Sequence, residues 1–345
     1  MPPQNYKFEG WLGHDPASAE GNMVWAEFES KRWRRRTCGS DLHTLSSGWY
    51  PAPYPIIVGH EIVREVVRVG VGDRVGVGVG CLADNCEVLP SRPLDLPGPH
   101  HNGDKGYGSY ATYHRTPGRF TFAIPTGLGS AHAATIMCAG VTMYSPLKRW
   151  LGFHPTTPPT SGSGGDSGSS SAKGKKVGII GLGGLGHYGV LFARAMGADL
   201  VLAISRKEAK REEALRLGAH DYLASEEGGK GWFKKYYGQL DLLISTVASA
   251  KPRGTLVHVG NPGDGPFAIG PPAAPVTRSL NFAGSCIGSA AETREMLEFA
   301  AAQGIQPWVE ERPMKDANAA LRDLHEGKPR YRYCLVNAVA EAPRL

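Results

Sequence analysis

Residues 175–195, KKVGIIGLGGLGHYGVLFARA, decide the fold of the second half of the chain. The apolar run Val177–Ile180 predicts a buried strand, and the pattern His187–Met196 predicts a helix. Between them lies a G-x-G-x-x-G turn, the context in which this motif binds the pyrophosphate of a dinucleotide at a helix N-terminus. Its first glycine makes the tight turn, its second admits the pyrophosphate, and its third allows close packing of helix on strand. The motif consists of Gly181, Leu182, Gly183, Gly184, Leu185 and Gly186.

Strand and helix patterns alternate from this turn to residue 302. Helices are predicted at Glu208–Leu217 and Ala290–Ala302. The further predicted strands are Leu200–Ser205, Asp241–Val247, Thr255–Gly260 and Leu280–Gly284. Such alternation predicts an α/β domain with a doubly wound parallel sheet. Beyond it, Lys315–Glu326 is predicted to be helical and Tyr331–Val336 to be a strand.

The end of the second predicted strand favours NADP(H) over NAD(H). An NAD site usually places a carboxylate there to bind the ribose hydroxyls. This chain has Ser205 instead, followed by Arg206 and Lys210. A carboxylate would repel a 2′-phosphate, whereas a guanidinium can pair with it.

The first 150 residues contain short strand patterns such as Ile62–Val69 and Arg74–Val79, rich in turns, which predicts a mostly-β domain. Residues 155–176 are so rich in Ser and Gly that a flexible surface loop is expected.

Composition narrows the class of protein. The 345 residues are 41% hydrophobic and 20% charged, as in ordinary globular proteins. No apolar run could span a bilayer, and the first ten residues have no signal-peptide pattern, so we expect a cytoplasmic protein with no membrane partner. The net charge of +6 could serve an anionic small ligand as readily as nucleic acid. The one basic cluster, Arg34–Arg36, is short and is interpreted as a solvated surface, so we expect no nucleic-acid partner.

Six scattered cysteines suggest core residues or metal ligands rather than a disulfide framework. A catalytic zinc site needs three protein ligands and an open position. Cys38, His60 and Cys138 are the candidates, although any one of them alone is more often a structural residue.

Nine stretches, in order along the chain, resemble the zinc-dependent medium-chain alcohol dehydrogenase family, and within it the cinnamyl alcohol dehydrogenase-like branch. They are YKFEGWLGHDP (6–16), CGSDLH (38–43), YPIIVGHEIV (54–63), GDRVGVG (72–78), CAGVTMYSPL (138–147), KKVGIIGLGGLGH (175–187), KREEALRLGA (210–219), GSCIGSAAETREMLEFAA (284–301) and RYRYCLV (330–336). The resemblance implies a GroES-like catalytic domain at residues 1–146 and 290–345. A Rossmann cofactor domain is implied at residues 147–289.

The resemblance also implies the roles of particular residues. Cys38, His60 and Cys138 would be the catalytic zinc ligands, with Glu61 a nearby acid that can enter the coordination sphere. Ser40 and His43 would form a proton relay, and Asp41 would orient the histidine ligand. The positions that would line the nicotinamide half of the cofactor are Thr142, Thr246, Gly260, Ser285 and Ile287.

The implied reaction is hydride transfer between NADP(H) and a primary alcohol or aldehyde, aromatic or of medium chain length, with one catalytic zinc ion. Polyol oxidation is an alternative activity. Members of the family commonly form homodimers through the edge of the cofactor domain, so pairing is expected near Leu280–Gly284.

Two departures from the family bear on activity. In the segment where the family has a second, structural zinc, only Cys86 occupies a ligand position, which predicts that this zinc is absent. Only Ala248–Gly254 separates two strands that should lie parallel, and a parallel crossover usually needs a dozen residues. One strand should therefore leave the sheet, or this part of the domain should be distorted. A catalytically impaired nucleotide-binding relative is the second alternative.

Overall fold

The computed structural model describes most of the chain in twelve segments and divides it into two units. The described segments are residues 7–28, 39–48, 51–52, 54–65, 73–78, 108–114, 121–155, 171–228, 234–236, 238–246, 255–260 and 281–337. One unit comprises Met1–Cys138 and Trp308–Leu345, and the other comprises Ala139–Pro307.

The second unit is built on a six-stranded parallel sheet in the order β11-β10-β9-β6-β7-β8. Its strands are apolar because both faces of such a sheet are covered. Ile179, Val201 and Ile244, for example, have no exposed surface. The strands are β6 (Lys176–Ile180), β7 (Leu200–Ser205), β8 (Asp221–Ala224), β9 (Leu242–Ser245), β10 (Thr255–His258) and β11 (Asn281–Gly284).

The described residues of this unit include the helices α3 (Val141–Leu151), α4 (Gly186–Ala195), α5 (Arg211–Arg216) and α6 (Ala290–Ala302). Helix α3 packs on α4 and α6. Ser289 and Glu292 form a reciprocal capping box that fixes the start of α6. Short 3₁₀ turns lie at Glu208–Lys210 and Lys234–Tyr236.

The described part of the first unit contains seven short strands. Strands β1 (Glu9–Leu12) and β2 (Val24–Glu27) pair antiparallel, as do β3 (Ile62–Glu65), β4 (Arg74–Val77) and β5 (Thr121–Ala123). The last two strands, β12 (Val309–Pro313) and β13 (Arg332–Val336), pair in parallel. The helices are α1 (Gly39–Leu45), α2 (Ser130–Thr135) and α7 (Ala317–His325), with 3₁₀ turns at Pro16–Glu20 and Met314–Asp316 and a π-helical turn at Ile136–Gly140.

The predicted two-domain α/β architecture is confirmed. Helices α3 and α6 both fall in the second unit, Ala139–Pro307. The expectation that a strand leaves the sheet is wrong, because β9 and β10 are neighbours in parallel register. The nine residues from Thr246 to Gly254 can span about 30 Å when extended, more than the roughly 13 Å of a four-residue strand.

Three expectations concern residues that the structure does not describe. These are most of the predicted loop at 155–176, of which residues 156–170 are not described, the predicted absence of a structural zinc at residues 81–90, and any distortion at residues 247–254. None of the helices within the described segments is both long and apolar enough to cross a membrane.

Candidate active site

Three of the four predicted metal ligands converge in the first unit. The ligand atoms of His60, Glu61 and Cys138 all lie within 4.8 Å of one another. His60 and Cys138 are buried, with exposed fractions of 1% and 8%. The fourth predicted ligand, Cys38, lies outside the described residues.

Two local backbone features position these ligands. Gly59, with a φ of 118°, turns the chain immediately before His60 and Glu61, and β3 begins at the next residue. Cys138 lies in the π-helical turn Ile136–Gly140. Such turns are rare and occur frequently at functional sites, because one extra residue per turn redirects a side chain.

The donor set fits a zinc ion. Imidazole nitrogen, thiolate sulfur and carboxylate oxygen are its usual ligands, and tetrahedral coordination at 2.0–2.3 Å separates ligand atoms by about 3.3–3.8 Å. The ligand atoms here lie within 4.8 Å of one another, so small side-chain rotations would bring them to these separations. A cluster of this composition, buried rather than on an exposed acidic surface, is therefore suited to a transition metal rather than to Ca²⁺ or Mg²⁺.

A buried carboxylate on α1 lies against the histidine of the cluster. Asp41 is 1% exposed, and its Oδ1 accepts a hydrogen bond of 3.2 Å from the Gly59 N–H. The same oxygen is 3.7 Å from His60 Nδ1. An Nδ1–H facing this carboxylate would leave Nε2 as the nitrogen that can bind a metal.

The third member of the cluster is held by a cation from a distant strand. Arg332, on β13, donates a short hydrogen bond from its guanidinium to the carboxylate of Glu61. The two side chains are only 12% and 5% exposed, so this ion pair is largely removed from water. Sequence reasoning did not single out Arg332, since its partner is 271 residues away along the chain.

The two predicted relay residues are on α1, close to Asp41. His43 is half-buried, and its backbone carbonyl accepts the Gly48 N–H at 2.8 Å. Ser40 lies in the first turn of α1, and its side chain is outside what the structure describes.

The predicted dinucleotide turn of the second unit follows β6. Gly181 has a φ of 90°, and a Cβ on Gly186 would lie 1.9 Å from the Gly181 carbonyl oxygen. The backbone conformation and packing of the turn therefore require glycine at these two positions, whether or not a ligand binds. A Cβ on Gly183, in contrast, would meet nothing within 4 Å, as expected of a glycine that leaves room for a ligand.

The predicted 2′-phosphate residues lie at the end of β7. The Arg206 side chain is 80% exposed, and its guanidinium lies 4.0 Å from the carboxylate of Glu226. Lys210 Nζ donates a 2.6 Å hydrogen bond to the carbonyl oxygen of Leu182, in the glycine turn. Ser205, the last residue of β7, is half-buried.

Arg211, next in the chain, is engaged elsewhere. It pairs with Glu208 and lies 3.3 Å from Asp221. Burial alone would raise the pKa of Asp221, but hydrogen bonds from Lys235, Tyr236 and the Tyr222 N–H lower it to about 2. Arg211 is therefore part of a structural charge cluster.

The five predicted nicotinamide positions are all in the second unit. The Thr246 hydroxyl is 2.8 Å from the carbonyl oxygen of Ile180 and 3.1 Å from that of Gly181, so it braces the glycine turn. Thr142 is buried on α3, and Gly260 follows β10.

The last two of these positions follow the edge strand. Ser285 donates its N–H to the His258 carbonyl at 3.0 Å, and Ile287 has a φ of 58°. Burial lowers the pKa of His258, at the carboxyl end of β10.

Comparison with known protein families agrees with the two-unit architecture, because each unit contains most of one family match. Residues 35–126 match the family described as alcohol dehydrogenase GroES-like domain, and residues 184–302 match the family described as zinc-binding dehydrogenase.

Curated relatives and solved structures extend the similarity to almost the whole chain. A probable cinnamyl alcohol dehydrogenase of Arabidopsis thaliana is 36% identical, over 96% of this chain and 94% of that protein. The NADP-dependent alcohol dehydrogenase 6 of Saccharomyces cerevisiae is 33% identical over 87% of this chain and 85% of its own length. The structure of a cinnamyl alcohol dehydrogenase from Sorghum bicolor superposes with a TM-score of 0.78 at 29% identity, covering 98% of this chain and all of the other.

Identity above 30% over most of both chains, together with a shared two-domain fold, confirms the resemblance that the motifs indicated. The chain belongs to the zinc-dependent medium-chain alcohol dehydrogenase family, in its cinnamyl alcohol dehydrogenase-like branch.

Proposed function

We propose that this protein is an oxidoreductase that uses one zinc ion and NADP(H) to interconvert primary alcohols and aldehydes, aromatic or of medium chain length. The observation that carries the proposal is the buried convergence of His60, Glu61 and Cys138. An imidazole, a carboxylate and a thiol meeting in one place in a dehydrogenase of this family favour a catalytic metal over a structural core.

In the proposed site, Cys38, His60 and Cys138 hold the zinc ion. Zinc supplies Lewis-acid chemistry when bound, since it polarises a coordinated substrate oxygen. Asp41 fixes the orientation of His60, because its buried carboxylate also accepts the Gly59 N–H and cannot rotate freely.

Glu61 has a separate proposed task. Its carboxylate is neutralised by Arg332, so the negative charge that it adds to a site with two thiolates is balanced. The pair keeps the acid close enough to approach the metal without leaving an unpaired buried charge.

Ser40 and His43 are proposed to move the proton that the reaction requires. Both lie on α1 with Asp41, two and five residues after Cys38 in the sequence. The Ser40 hydroxyl would exchange a proton with the substrate oxygen, and His43 would pass that proton towards water.

The cofactor site is proposed to lie along the glycine turn and the end of β7. The N-terminus of α4 offers backbone N–H groups to the pyrophosphate. Arg206 and Lys210 supply the charge that selects a 2′-phosphate, because no carboxylate occupies the end of β7. When bound, NADPH would supply the hydride. The residues proposed to line its nicotinamide end are Thr142, Thr246, Gly260, Ser285 and Ile287.

A metal and turnover analysis of the purified full chain tests the proposal. We expect about one zinc per chain by elemental analysis. We also expect oxidation of NADPH, followed at 340 nm, with cinnamaldehyde, benzaldehyde or hexanal. Mannitol with NADP⁺ forms a further arm, because a relative 35% identical over 86% of this chain is a probable mannitol dehydrogenase.

Two matched cysteine variants distinguish the loss of a proposed metal ligand from the general effect of losing a thiol. Cys138→Ser should lose both zinc and turnover. Cys334→Ser, on β13 and outside the metal cluster, should retain both. Zinc near zero in the unmodified protein, with saturable NADPH binding and no turnover, would refute the proposed activity.

The proposal also includes a homodimer and a cytoplasmic location. The edge strand β11 has no charged residue, and its Phe282 is 44% exposed. Uncharged exposed edges pair readily with a second strand, and a two-fold copy of the same strand is the simplest partner. Recovery of the native protein in a membrane or organelle fraction of its cells would contradict the location.

A further inference from the structure

A cavity in the first unit lies beside the metal-ligand cluster. Its volume is about 340 Å³. Its walls are formed mainly by residues of β3, α2, β12 and β13. A water molecule takes up about 30 Å³ in the liquid, so the cavity has room for several.

Exposure falls from one end of this cavity to the other. Ser130, Glu311 and Val336 are exposed and form its mouth. Thr135 is 2% exposed and the Glu61 side chain 5% exposed, and these two residues lie at its floor. The cavity therefore leads from solvent to the buried carboxylate of Glu61.

Glu61 belongs to both the cavity and the cluster. Its carboxylate lies within 4.8 Å of the ligand atoms of His60 and Cys138. Those two residues are buried, and neither of them lines the cavity. An ion that approached His60 and Cys138 through the cavity would therefore meet the Glu61 carboxylate first.

The charges of the cavity suit a cation rather than an anion. Glu61 and Glu311, at the floor and the mouth, are the charged members of the described lining, which contains no Lys, Arg or His. A passage with carboxylates at both ends and walls of low dielectric attracts a divalent cation and repels an anion. Arg332 balances the charge of Glu61 in the resting protein. A carboxylate has about four lone-pair positions, so it can accept from a guanidinium and still bind a metal ion.

We infer that this cavity is the path by which zinc enters and leaves the buried site, with Glu61 as the residue that meets the ion and passes it to the imidazole and thiolate ligands. This inference rests on the proposed function. It gives Glu61 a task in metal exchange, apart from the chemistry of the alcohol. A metal site that is closed to solvent needs such an entry path.

Exchange kinetics of the zinc-loaded full chain test the inference. Release is followed after mixing with an excess of a chelating dye, and uptake after adding Zn²⁺ alone to the stripped protein. Ala131→Phe narrows the path, because Ala131 lines the cavity in the first turn of α2. Both rates should fall about tenfold or more, because the ion must then wait for the structure to open locally. The dissociation constant for zinc should not change, since a narrowed path slows both directions equally.

Ala123→Phe is the matched control. Ala123 is exposed on β5 in the same unit and does not line the cavity. The same increase in side-chain volume there should leave both rates unchanged.

A second variant, Glu311→Gln, keeps the test decisive if Ala131→Phe proves insoluble. Loss of the carboxylate at the mouth should slow uptake and release equally, by about two- to threefold at low ionic strength. The difference should vanish at about 1 M salt, where charges are screened within about 3 Å. Glu27→Gln is its control, because Glu27 is an exposed acid on β2 that does not line the cavity, and both rates should stay as they are.

Each other result overturns the inference or the proposed function. Unchanged rates in the Ala131 and Glu311 variants show that the ion takes another path. Slower release with tighter binding also overturns the inference, because the substitution would then act on the bound state. A protein that never binds zinc overturns both the inference and the proposed function. Zinc-loaded protein without aldehyde turnover refutes the proposed function alone, and the exchange rates still decide the role of the cavity.

Discussion

Replacing Arg332 by methionine should destabilise the metal-free protein strongly and the zinc-loaded protein much less. The Arg332 and Glu61 side chains are only 12% and 5% exposed. The expected loss of unfolding free energy is therefore that of breaking a buried ion pair rather than a surface pair. That loss is about 3–5 kcal/mol in the free energy of unfolding. For a unit of this size it corresponds to a fall in the thermal midpoint of about 6–20 °C.

Zinc should reduce this loss because it would replace the guanidinium as the positive neighbour of the Glu61 carboxylate. Urea unfolding of protein stripped with a chelator and of protein reloaded with zinc measures both values. Lys328→Met, at an exposed surface pair, is the control and should cost no more than about 1 kcal/mol. The double variant Arg332→Met/Glu61→Gln should recover much of the stability, because no unpaired charge remains. Equal losses with and without zinc would refute the reasoning.

Four further outcomes are expected. Asp41→Asn should weaken zinc binding about 10- to 100-fold in competition with a chelating dye; unchanged affinity would show that Asp41 does not orient His60. Arg206→Ala should weaken NADPH binding about tenfold and leave NADH binding unaltered, and an equal effect on both cofactors would contradict a 2′-phosphate contact. Asp221→Asn should lose about 2 kcal/mol at pH 7, because the lowered pKa of Asp221 stabilises the fold above pH 3.8 and this contribution is lost as pH falls through about 2. A deficit as large at pH 2.5 as at pH 7 would contradict that linkage. Phe282→Lys should convert a dimer to monomers in light scattering after gel filtration, and a persistent dimer would place the interface elsewhere.

Most of the cofactor unit was predictable from sequence because its central strands are buried on both faces. Continuous apolar runs such as Val177–Ile180 have no solvent-facing residues to obscure the pattern, and five of the six observed strands match predicted ones to within two residues. The edge strand β8 (Asp221–Ala224) was not predicted, because its residues alternate between buried and half-buried. Strand β12, VEERP, could not be found in this way, because three of its five residues are charged. Helix α3 was missed because Pro146 lies inside it, in a position that usually ends a helix.

Of the two alternatives for the connection between β9 and β10, the one in which a strand leaves the sheet was wrong for a different reason. The rule that parallel strands need a long connection describes the usual helical crossover. It is not a limit on chain length, since Thr246–Gly254 can reach across in an extended path.

The candidate site was only partly accessible from sequence. Candidate ligands such as His60 and Cys138 were identified from the sequence motifs that flank them, and the fold brings these two residues together. The Arg332–Glu61 pair depends on β13 packing close to the start of β3, and no local spacing carries that information. Which residue neutralises a buried charge is therefore decided by tertiary structure.

The π-helical turn that carries Cys138 has a consequence for variation in chain length. Helix α2, just before it, is held against β3, β12 and β13. Each residue in a helix advances the chain by about 1.5 Å and turns it through about 100°. Removing one amino acid between Ile136 and Met137 would therefore swing the thiol away from the imidazole and carboxylate, even if every ligand survived. A relative with a one-residue gap at this place could retain the whole ligand signature and still be unable to hold the ion.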